Sequence, residues 1–204
     1  MRRQRLALSL AGVLALSACS SLNPFSSEGK PPALKPLSNP VRISESWRAR
    51  VDDAGVFVFQ PAISSAAVFA SGKDGEVVRI ESGRTVWKTP LKTPVSGGVG
   101  SDGKLVAVGT PKGEVIALDA ETGQVRWRTL INAEVLAAPA ISGGMVVVRS
   151  ADSRLFGLDA SDGKRRWTYQ RATPPLALRN AAGVVMEGNF IIAGYPGGKL
   201  VAVN

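Results

Sequence analysis

The amino-acid sequence predicts an all-β fold made of repeated four-stranded units, and three observations support this prediction. The four tryptophans of the 204-residue chain are evenly spaced, and three of them follow a glycine by four positions. Short apolar segments rich in valine and isoleucine recur between turns that carry glycine, aspartate or proline. The chain contains 22 glycines and 13 prolines, which suits a turn-rich β protein. The tryptophans are Trp47, Trp87, Trp127 and Trp167, and the glycines are Gly83, Gly123 and Gly163.

A repeat of this length, about 40 residues with four short strands, is typical of a β-propeller blade. Helical repeats of similar length need stretches of about twelve residues with a 3.6-residue period, and no such stretch is visible. The two best copies of the repeat cover residues 113–127 and 153–167, and a copy two residues shorter covers 75–87. We therefore expect two central blades, with strands near 94–99, 105–110, 114–119 and 124–129, then near 135–142, 145–150, 154–159 and 164–170.

The chain divides into three predicted regions. Residues 1–18 are a signal peptide, residues 19–40 are a lipidated cysteine with a tether rich in proline and serine, and residues 41–204 are a partial propeller. The propeller should begin with a blade-closing strand over 41–51 that carries Trp47. Blades are then expected near 55–90, 94–130, 134–171 and 178–204.

The N-terminal residues have the pattern of an export signal. Three arginines precede an apolar run over 6–16, which is shorter than the roughly 20 residues of a membrane-spanning helix. The run leads into Leu16-Ser17-Ala18-Cys19, where Cys19 is the single cysteine of the chain. This segment resembles the lipobox of bacterial lipoproteins, in which the cysteine after the cleavage point is lipidated. The resemblance implies an outer-membrane anchor, because the next residue, Ser20, is not acidic.

The composition excludes several classes of site. Histidine is absent, which removes His-based nucleophile arrangements and His-based metal sites. A single cysteine forms neither an internal disulfide nor a cysteine cluster. The formal net charge is +9, but three arginines belong to the signal. The remaining basic residues are scattered along an exported chain, so nucleic acid is not an expected partner.

The recurring residues have structural interpretations. Asp119 and Asp159 each begin a five-residue turn that ends in glycine, where the carboxylate can accept backbone N–H bonds and the glycine supplies a positive φ. Calcium binding is the alternative, but the spacing of a calcium loop is missing and no metal site is predicted. A tryptophan that recurs on the outer strand of each blade is expected to pack between blades rather than to line a ligand site.

The motif Ala-Leu-Asp-Ala-x-Thr-Gly-x-x-x-Trp over 117–127 resembles the tryptophan-docking repeat of the pyrroloquinoline-quinone (PQQ) enzyme-like propellers. One branch of this superfamily consists of quinoprotein dehydrogenases, which need PQQ, calcium and an aspartate base. The other branch is noncatalytic and includes the BamB family of lipoproteins, which belong to the outer-membrane β-barrel assembly machinery. The lipobox, the tether and the N-terminal tryptophan favour the BamB family, which implies no catalytic residues and no cofactor.

The repeat is interrupted once. The interval from Trp87 to Gly113 equals the interval from Trp127 to Ser153. The interval from Trp167 to the equivalent residue, Gly198, is five residues longer. The added residues fall around 173–180, and exceptions to a repeat often lie in loops on the binding face. Exposed leucine beside arginine suits protein binding, although both leucines would also suit the core of the next strand. The residues concerned are Leu176, Leu178 and Arg179.

The resemblance assigns a role to this segment. In the BamB family, an inter-blade loop with a Leu-x-Leu-Arg motif contacts a periplasmic domain of BamA, the barrel-forming subunit, and Leu176, Leu178 and Arg179 match it. The implied protein is a lipid-anchored scaffold on the periplasmic side of the outer membrane, where it docks on BamA and aids the folding and insertion of β-barrel proteins. The alternatives are a fragment of a PQQ-dependent dehydrogenase and a cell-wall or glycan-binding propeller lipoprotein.

The repeat also bears on the length of the chain. Residues 198–204 align with residues 113–119, so the sequence stops eight positions before the next expected tryptophan. About three and a half blades are present, whereas the family builds about eight. We therefore expect a partial sequence, whose open strand edges would make it prone to aggregation.

Overall fold

The computed structural model describes residues 33–35, 39, 41–65, 67–172 and 181–204. The chain forms two compact units, Met1–Ser44 and Glu45–Asn204. The described residues of the first unit are exposed and form neither helix nor strand. The described residues of the second unit contain 15 β-strands and no helix.

The strands form four antiparallel sheets, in which each strand pairs with the next one along the chain. Three sheets have four strands and the last has three, so the predicted all-β architecture of four-stranded blades is confirmed. Blade 1 contains β1 (Ala62–Ser64), β2 (Ala67–Ser71), β3 (Glu76–Glu81) and β4 (Arg84–Pro90). Blade 2 contains β5 (Gly97–Ser101), β6 (Leu105–Gly109), β7 (Glu114–Asp119) and β8 (Val125–Leu130). Blade 3 contains β9 (Ala140–Ser142), β10 (Met145–Arg149), β11 (Leu155–Asp159) and β12 (Arg165–Tyr169). Blade 4 contains β13 (Val184–Glu187), β14 (Phe190–Tyr195) and β15 (Lys199–Val203).

Blade 2 is buried on both of its faces. Successive side chains of a strand point to opposite faces, so Val106 and Val108 of β6 join the core shared with blade 1. Leu105 and Ala107 of the same strand join the core shared with blade 3. Burial of one valine or leucine side chain contributes about 1.5–3 kcal/mol. Blade 2 therefore gains much of its stability from its two neighbours.

The first strands of blades 2 and 3 begin later than the sequence predicts. β5 begins at Gly97 rather than near 94, and β9 begins at Ala140 rather than near 135. The preceding residues instead connect one blade to the next. The backbone N–H groups of Val95 and Val135 donate to the turn between the second and third strands of the preceding blade, at 3.0 and 3.2 Å.

Residues 41–51, where the sequence predicts a blade-closing strand, are assigned to no strand in the described structure, and their closing role stays a prediction. Trp47 is nevertheless packed against blade 1, although 44% of its surface is exposed. A Cβ atom added to Gly83 would lie 2.7 Å from the Cβ of Trp47. The tryptophan therefore lies directly over the glycine that precedes β4.

Trp127 of β8 joins blade 2 to blade 3. Its indole Nε1 donates to the carbonyl oxygen of Ala160 at 2.9 Å, and the hydroxyl of Thr129 donates to the carbonyl oxygen of Gly163 at 2.7 Å. The indole ring lies so close to Gly163 that an added Cβ would be 2.5 Å from Cε3 of Trp127. Gly163 also has a φ of +72°. Only glycine satisfies both conditions without strain.

The same contacts join blade 1 to blade 2. The indole of Trp87 donates to the carbonyl oxygen of Ala120 at 3.1 Å, and Thr89 donates to that of Gly123 at 2.8 Å. Trp167 occupies the equivalent position on β12, where it is half-buried against the core shared by blades 3 and 4.

Asp119 organises the turn that receives Trp87. Its Oδ1 accepts the backbone N–H groups of Glu121 and Thr122 at 3.0 and 2.8 Å, and its Oδ2 accepts Nε of Arg126 at 3.1 Å. These hydrogen bonds, led by that from the Thr122 backbone, lower the pKa of Asp119 to about 2. Because Oδ1 accepts hydrogen bonds from the turn and Oδ2 accepts one from Arg126 of β8, Asp119 caps the turn and ties it to the following strand.

Asp159 has the same environment in blade 3. Its carboxylate accepts the backbone N–H of Ser161 at 2.8 Å and Nε of Arg166 at 3.0 Å. Hydrogen bonds from the Ser161 hydroxyl and from Arg166 hold the pKa of Asp159 well below its usual range. The turns that accept Trp87 and Trp127 are therefore built in the same way.

We expect Trp127→Phe to lower the free energy of unfolding by about 1–3 kcal/mol, because the change removes the bond to Ala160 and leaves a small void. Urea unfolding at neutral pH measures this loss. Trp47→Phe is the matched control, and its effect should be clearly smaller because Trp47 is 44% exposed whereas Trp127 is 8% exposed. Equal losses in the two variants would contradict the role given to Trp127.

We expect the stability lost in Asp119→Asn to depend on pH. The folded pKa of Asp119 lies near 2 and its ordinary value is 3.8. The stability contributed by the ionised group is therefore complete above pH 3.8 and is lost as the pH falls through 2. Urea unfolding between pH 2 and 6 should show the wild type and the variant converging at low pH.

Thr89→Val is the control for this titration, because it removes a hydrogen bond to the same turn without removing a titratable group. The difference between this variant and the wild type should change little over the same range. A gap between Asp119→Asn and the wild type that stays constant from pH 6 to pH 2 would contradict the stabilising role of the carboxylate.

Candidate functional site

The partner-binding residues predicted from the sequence lie outside the described residues. These are Leu176, Leu178 and Arg179, and Cys19 lies outside as well. The chain on both sides of segment 173–180 is described, and it connects β12 of blade 3 to β13 of blade 4. This junction, the third of the three inter-blade connections, is therefore the part of the candidate site that the structure describes.

The first two connections bury an apolar side chain between the blades. Leu91 and Ile131 are both buried, and their backbone N–H groups donate to the carbonyl oxygens of Gly75 and Gly113, each at 2.8 Å. The repeat places Arg171 at the equivalent position of the third connection, where it is partly exposed. The third connection therefore departs from the other two before the inserted segment begins.

Arg149 is a second departure from the repeat at this junction. It ends β10 with only 2% of its surface exposed, whereas the corresponding residues of blades 1 and 2 are Ser71 and Gly109. Its Nη1 donates to the carbonyl oxygen of Ala182 at 3.3 Å. Its guanidinium carbon lies 5.1 Å from the centre of the Tyr195 ring, within the range of a cation–π interaction.

Burial is the largest influence on the pKa of both groups in this contact. It lowers the pKa of the Arg149 guanidinium. It raises the pKa of the Tyr195 hydroxyl, and the positive charges of Arg149 and Arg171 partly oppose this increase. The Tyr195 ring also meets Tyr169 edge-on, with the ring centres 6.4 Å apart. The junction thus holds a desolvated cation next to aromatic groups.

A third departure reverses the sign of a charge. In blades 1 and 2, Glu76 and Glu114 stand at the start of the third strand, and each pairs with a basic residue of the fourth strand, at 2.8 and 3.1 Å. The matching positions in blades 3 and 4 are Arg154 and Lys199. Arg154 pairs with Asp152 of its own turn at 2.6 Å. At the start of the third strand, an acidic residue in blades 1 and 2 is therefore replaced by a basic residue in blades 3 and 4.

Arg149, Arg171 and Lys199 were not among the residues predicted from the sequence, although the signal was present. Aligning the repeats on their tryptophans places Arg149 against Gly109 and Arg171 against Ile131. Lys199 aligns with Glu114 once the five inserted residues are included. Comparing the side chains at equivalent positions, in addition to the loop lengths, would have revealed these three cations.

Two further properties concern only the described residues. They contain no group of three or more His, Cys, Asp or Glu side chains placed to hold a metal ion. They also contain no helix with the length and apolar character needed to cross a membrane.

Comparison with known proteins identifies the family. The family model described as outer membrane protein assembly factor BamB matches residues 73–204. The outer membrane protein assembly factor BamB of Bordetella pertussis is 40% identical over 205 residues, which cover 100% of this chain and 53% of that protein. The Pseudomonas aeruginosa relative of the same name is 49% identical over 201 residues, or 96% of this chain and 52% of the relative. The chain thus spans about half the length of these relatives.

A solved structure agrees with the sequence comparisons. The crystal structure of BamB from Moraxella catarrhalis matches with a TM-score of 0.68 and 30% identity, and the match covers 72% of this chain and 45% of that one. The resemblance predicted from the tryptophan repeat is therefore confirmed. The chain belongs to the family of outer membrane protein assembly factor BamB.

Proposed function

We propose that this protein is a noncatalytic scaffold of the outer-membrane β-barrel assembly machinery. It docks on BamA and thereby aids the folding and insertion of outer-membrane β-barrel proteins. Membership of the BamB family supports this function. The observation that carries the proposal is the third inter-blade connection, which departs from the other two in both length and character.

At their central positions, the two regular connections have buried side chains that a partner protein could not contact. Leu91 and Ile131 are buried, and their N–H groups bond to neighbouring turns. The third connection has Arg171 at this position and is five residues longer, with the added residues around 173–180. In the proposed complex, Leu176 and Leu178 supply apolar contact and Arg179 supplies a charge-assisted hydrogen bond.

The proposed role involves no chemistry and no cofactor. The acidic residues that recur in the repeat, Asp119 and Asp159, accept hydrogen bonds from their own turns and from Arg126 and Arg166. This use of both carboxylates supports a structural role for the repeat. The blades then act as a rigid support for the surface that binds the partner.

The proposed location is the periplasmic face of the outer membrane, where acyl chains on Cys19 hold the protein. The apolar run over 6–16 and the cysteine that follows it support this anchor. More than one acyl chain is needed for stable attachment, because each buried CH₂ group contributes only about 0.8 kcal/mol.

We expect Cys19→Ala to release the protein from membranes. After membranes are washed with concentrated salt, which weakens polar contacts with other proteins, the wild type should remain in the pellet and the variant should appear in the supernatant. Ser20→Ala is the matched control and should remain in the pellet. Retention of Cys19→Ala after the wash would contradict the anchor.

We expect the double change Leu176→Ala and Arg179→Ala to weaken binding to BamA by about 2 kcal/mol or more, roughly 30-fold. Titration calorimetry with the periplasmic part of BamA measures the affinity, and the melting temperature shows whether the variant folds. The control is Leu130→Ala with Lys92→Ala, because these residues place an exposed leucine and an exposed cation on the other blades. A folded double variant with wild-type affinity would overturn this docking surface.

A further inference from the structure

A cavity of about 630 Å³ opens at the junction of blades 3 and 4. The residues that matter here are Tyr169, Arg171, Tyr195 and Lys199, which all line it. No acidic residue is among its described lining. The cavity lies beside the predicted docking segment, because Arg171 and Ala172 lead directly into residues 173–180.

One wall of this cavity is Tyr195, and the buried Arg149, which is not among the described lining residues, packs against the Tyr195 ring. Among the described residues, Nε and Nη2 of Arg149 and the hydroxyl oxygen of Tyr195 have no hydrogen-bond partner. Arg149 is 2% exposed and Tyr195 is 6% exposed. A buried donor without an acceptor is costly, and a buried unpaired charge is more costly still. An anion held in the cavity, close to this buried charge, would offset part of that cost.

The charges around the cavity define the class of ligand. The positive charge of Arg149 is buried, and its guanidinium carbon lies 5.1 Å from the centre of the Tyr195 ring that lines the cavity. A buried positive charge favours an anion nearby, and the anion that a protein side chain supplies is a carboxylate. The nearby cations Arg171 and Lys199 add positive charge on the side of the cavity.

Blades 1 and 2 lack the basic residues of this junction. Arg149 stands where blade 2 has Gly109, and Arg171 stands where the preceding connection has Ile131. Lys199 stands where blade 2 has Glu114. Regular blades of this protein therefore fold without these cations, so the fold alone does not account for them.

We propose that the cavity between blades 3 and 4 binds the carboxylate of an acidic side chain presented by a protein partner. Arg171 and Lys199, which line the cavity, pair with the carboxylate, and the buried charge of Arg149 beside Tyr195 strengthens its binding. The choice of a protein carboxylate rests on the proposed function, because the cavity adjoins the segment proposed to dock on BamA. The carboxylate site is itself testable without BamA.

The first test uses the full chain and a capped peptide, acetyl-Gly-Glu-Gly-amide. The Nε–H resonance of Arg149 in a ¹⁵N–¹H spectrum should shift in a saturable manner. The glutamine version of the peptide should leave it unchanged, and so should the glutamate peptide added to the double variant Arg171→Gln with Lys199→Gln. No glutamate-specific shift, or a saturable shift with inorganic phosphate alone, would overturn the carboxylate assignment.

The second test measures affinity for the periplasmic part of BamA. The Arg171→Gln, Lys199→Gln variant should bind at least tenfold more weakly at low salt and should lose part of the salt dependence, whereas Lys92→Gln should bind within twofold of the wild type. Binding by the double variant within twofold of the wild type would overturn the interaction with this partner. If the wild type itself fails to bind BamA, the proposed function fails, and the peptide test alone decides the carboxylate site.

A third measurement separates a binding role of Arg149 from a structural one. Arg149→Met removes the buried charge and keeps an unbranched apolar side chain. The melting temperature should stay the same or rise, while the response to the glutamate peptide, followed at the Tyr195 ring, should be lost. A lower melting temperature with an unchanged peptide response would show that Arg149 serves the fold only and would overturn its role in the site.

Discussion

The contact of a tryptophan with the next blade is the interaction on which the rest of this structure depends. The ring of Trp127 lies over Gly163, and its indole N–H donates to the carbonyl oxygen of Ala160. Both contacts belong to one turn, whose shape is fixed by Asp159. Because the contact joins consecutive repeats, a change in the length of one blade would separate the tryptophan from its glycine. The regular spacing of the tryptophans is therefore a geometric requirement of docking.

Blade 1 shows which part of this contact is essential. Its turn is two residues shorter than those of blades 2 and 3. The interval from Trp47 to Gly83 nevertheless equals the interval from Trp127 to Gly163, and the side chain of Trp47 still packs on Gly83. The Asp-Ala pair that supplies the capping carboxylate and the acceptor carbonyl in the other turns is absent there. Packing of the ring on glycine therefore persists without the hydrogen bond. The polar contacts add stability and orientation to an interface whose position is set by close packing, as nearest-neighbour interfaces do in repeat proteins.

The parts of the fold that depend on local patterns were predictable from the sequence. β6 and β7 lie where expected because their runs of apolar residues are buried on both faces. The starts of β5 and β9 were not predictable, because the N–H groups of Val95 and Val135 bond to turns far away in sequence. Arg149 was missed for a related reason. A polar residue at the end of an apolar strand is normally interpreted as the beginning of a turn. The burial of Arg149 depends instead on contacts with blade 4, which are distant in sequence. The assignment of Leu176 to a partner remains a prediction from the family motif.

In a repeat protein, positions that depart from the repeat without a packing reason are candidates for a functional role. At the junction of blades 3 and 4, a small residue, a buried apolar residue and an acidic residue are all replaced by cations, namely Arg149, Arg171 and Lys199. The first of these replacements is unfavourable for folding, since a guanidinium is removed from water without a full set of acceptors. Three independent substitutions of the same charge at one junction are not explained by blade packing, because blades 1 and 2 pack closely without them. A requirement for negative charge on something outside the fold explains all three. The unfavourable burial of the Arg149 charge would then be compensated when a negatively charged partner binds at this junction.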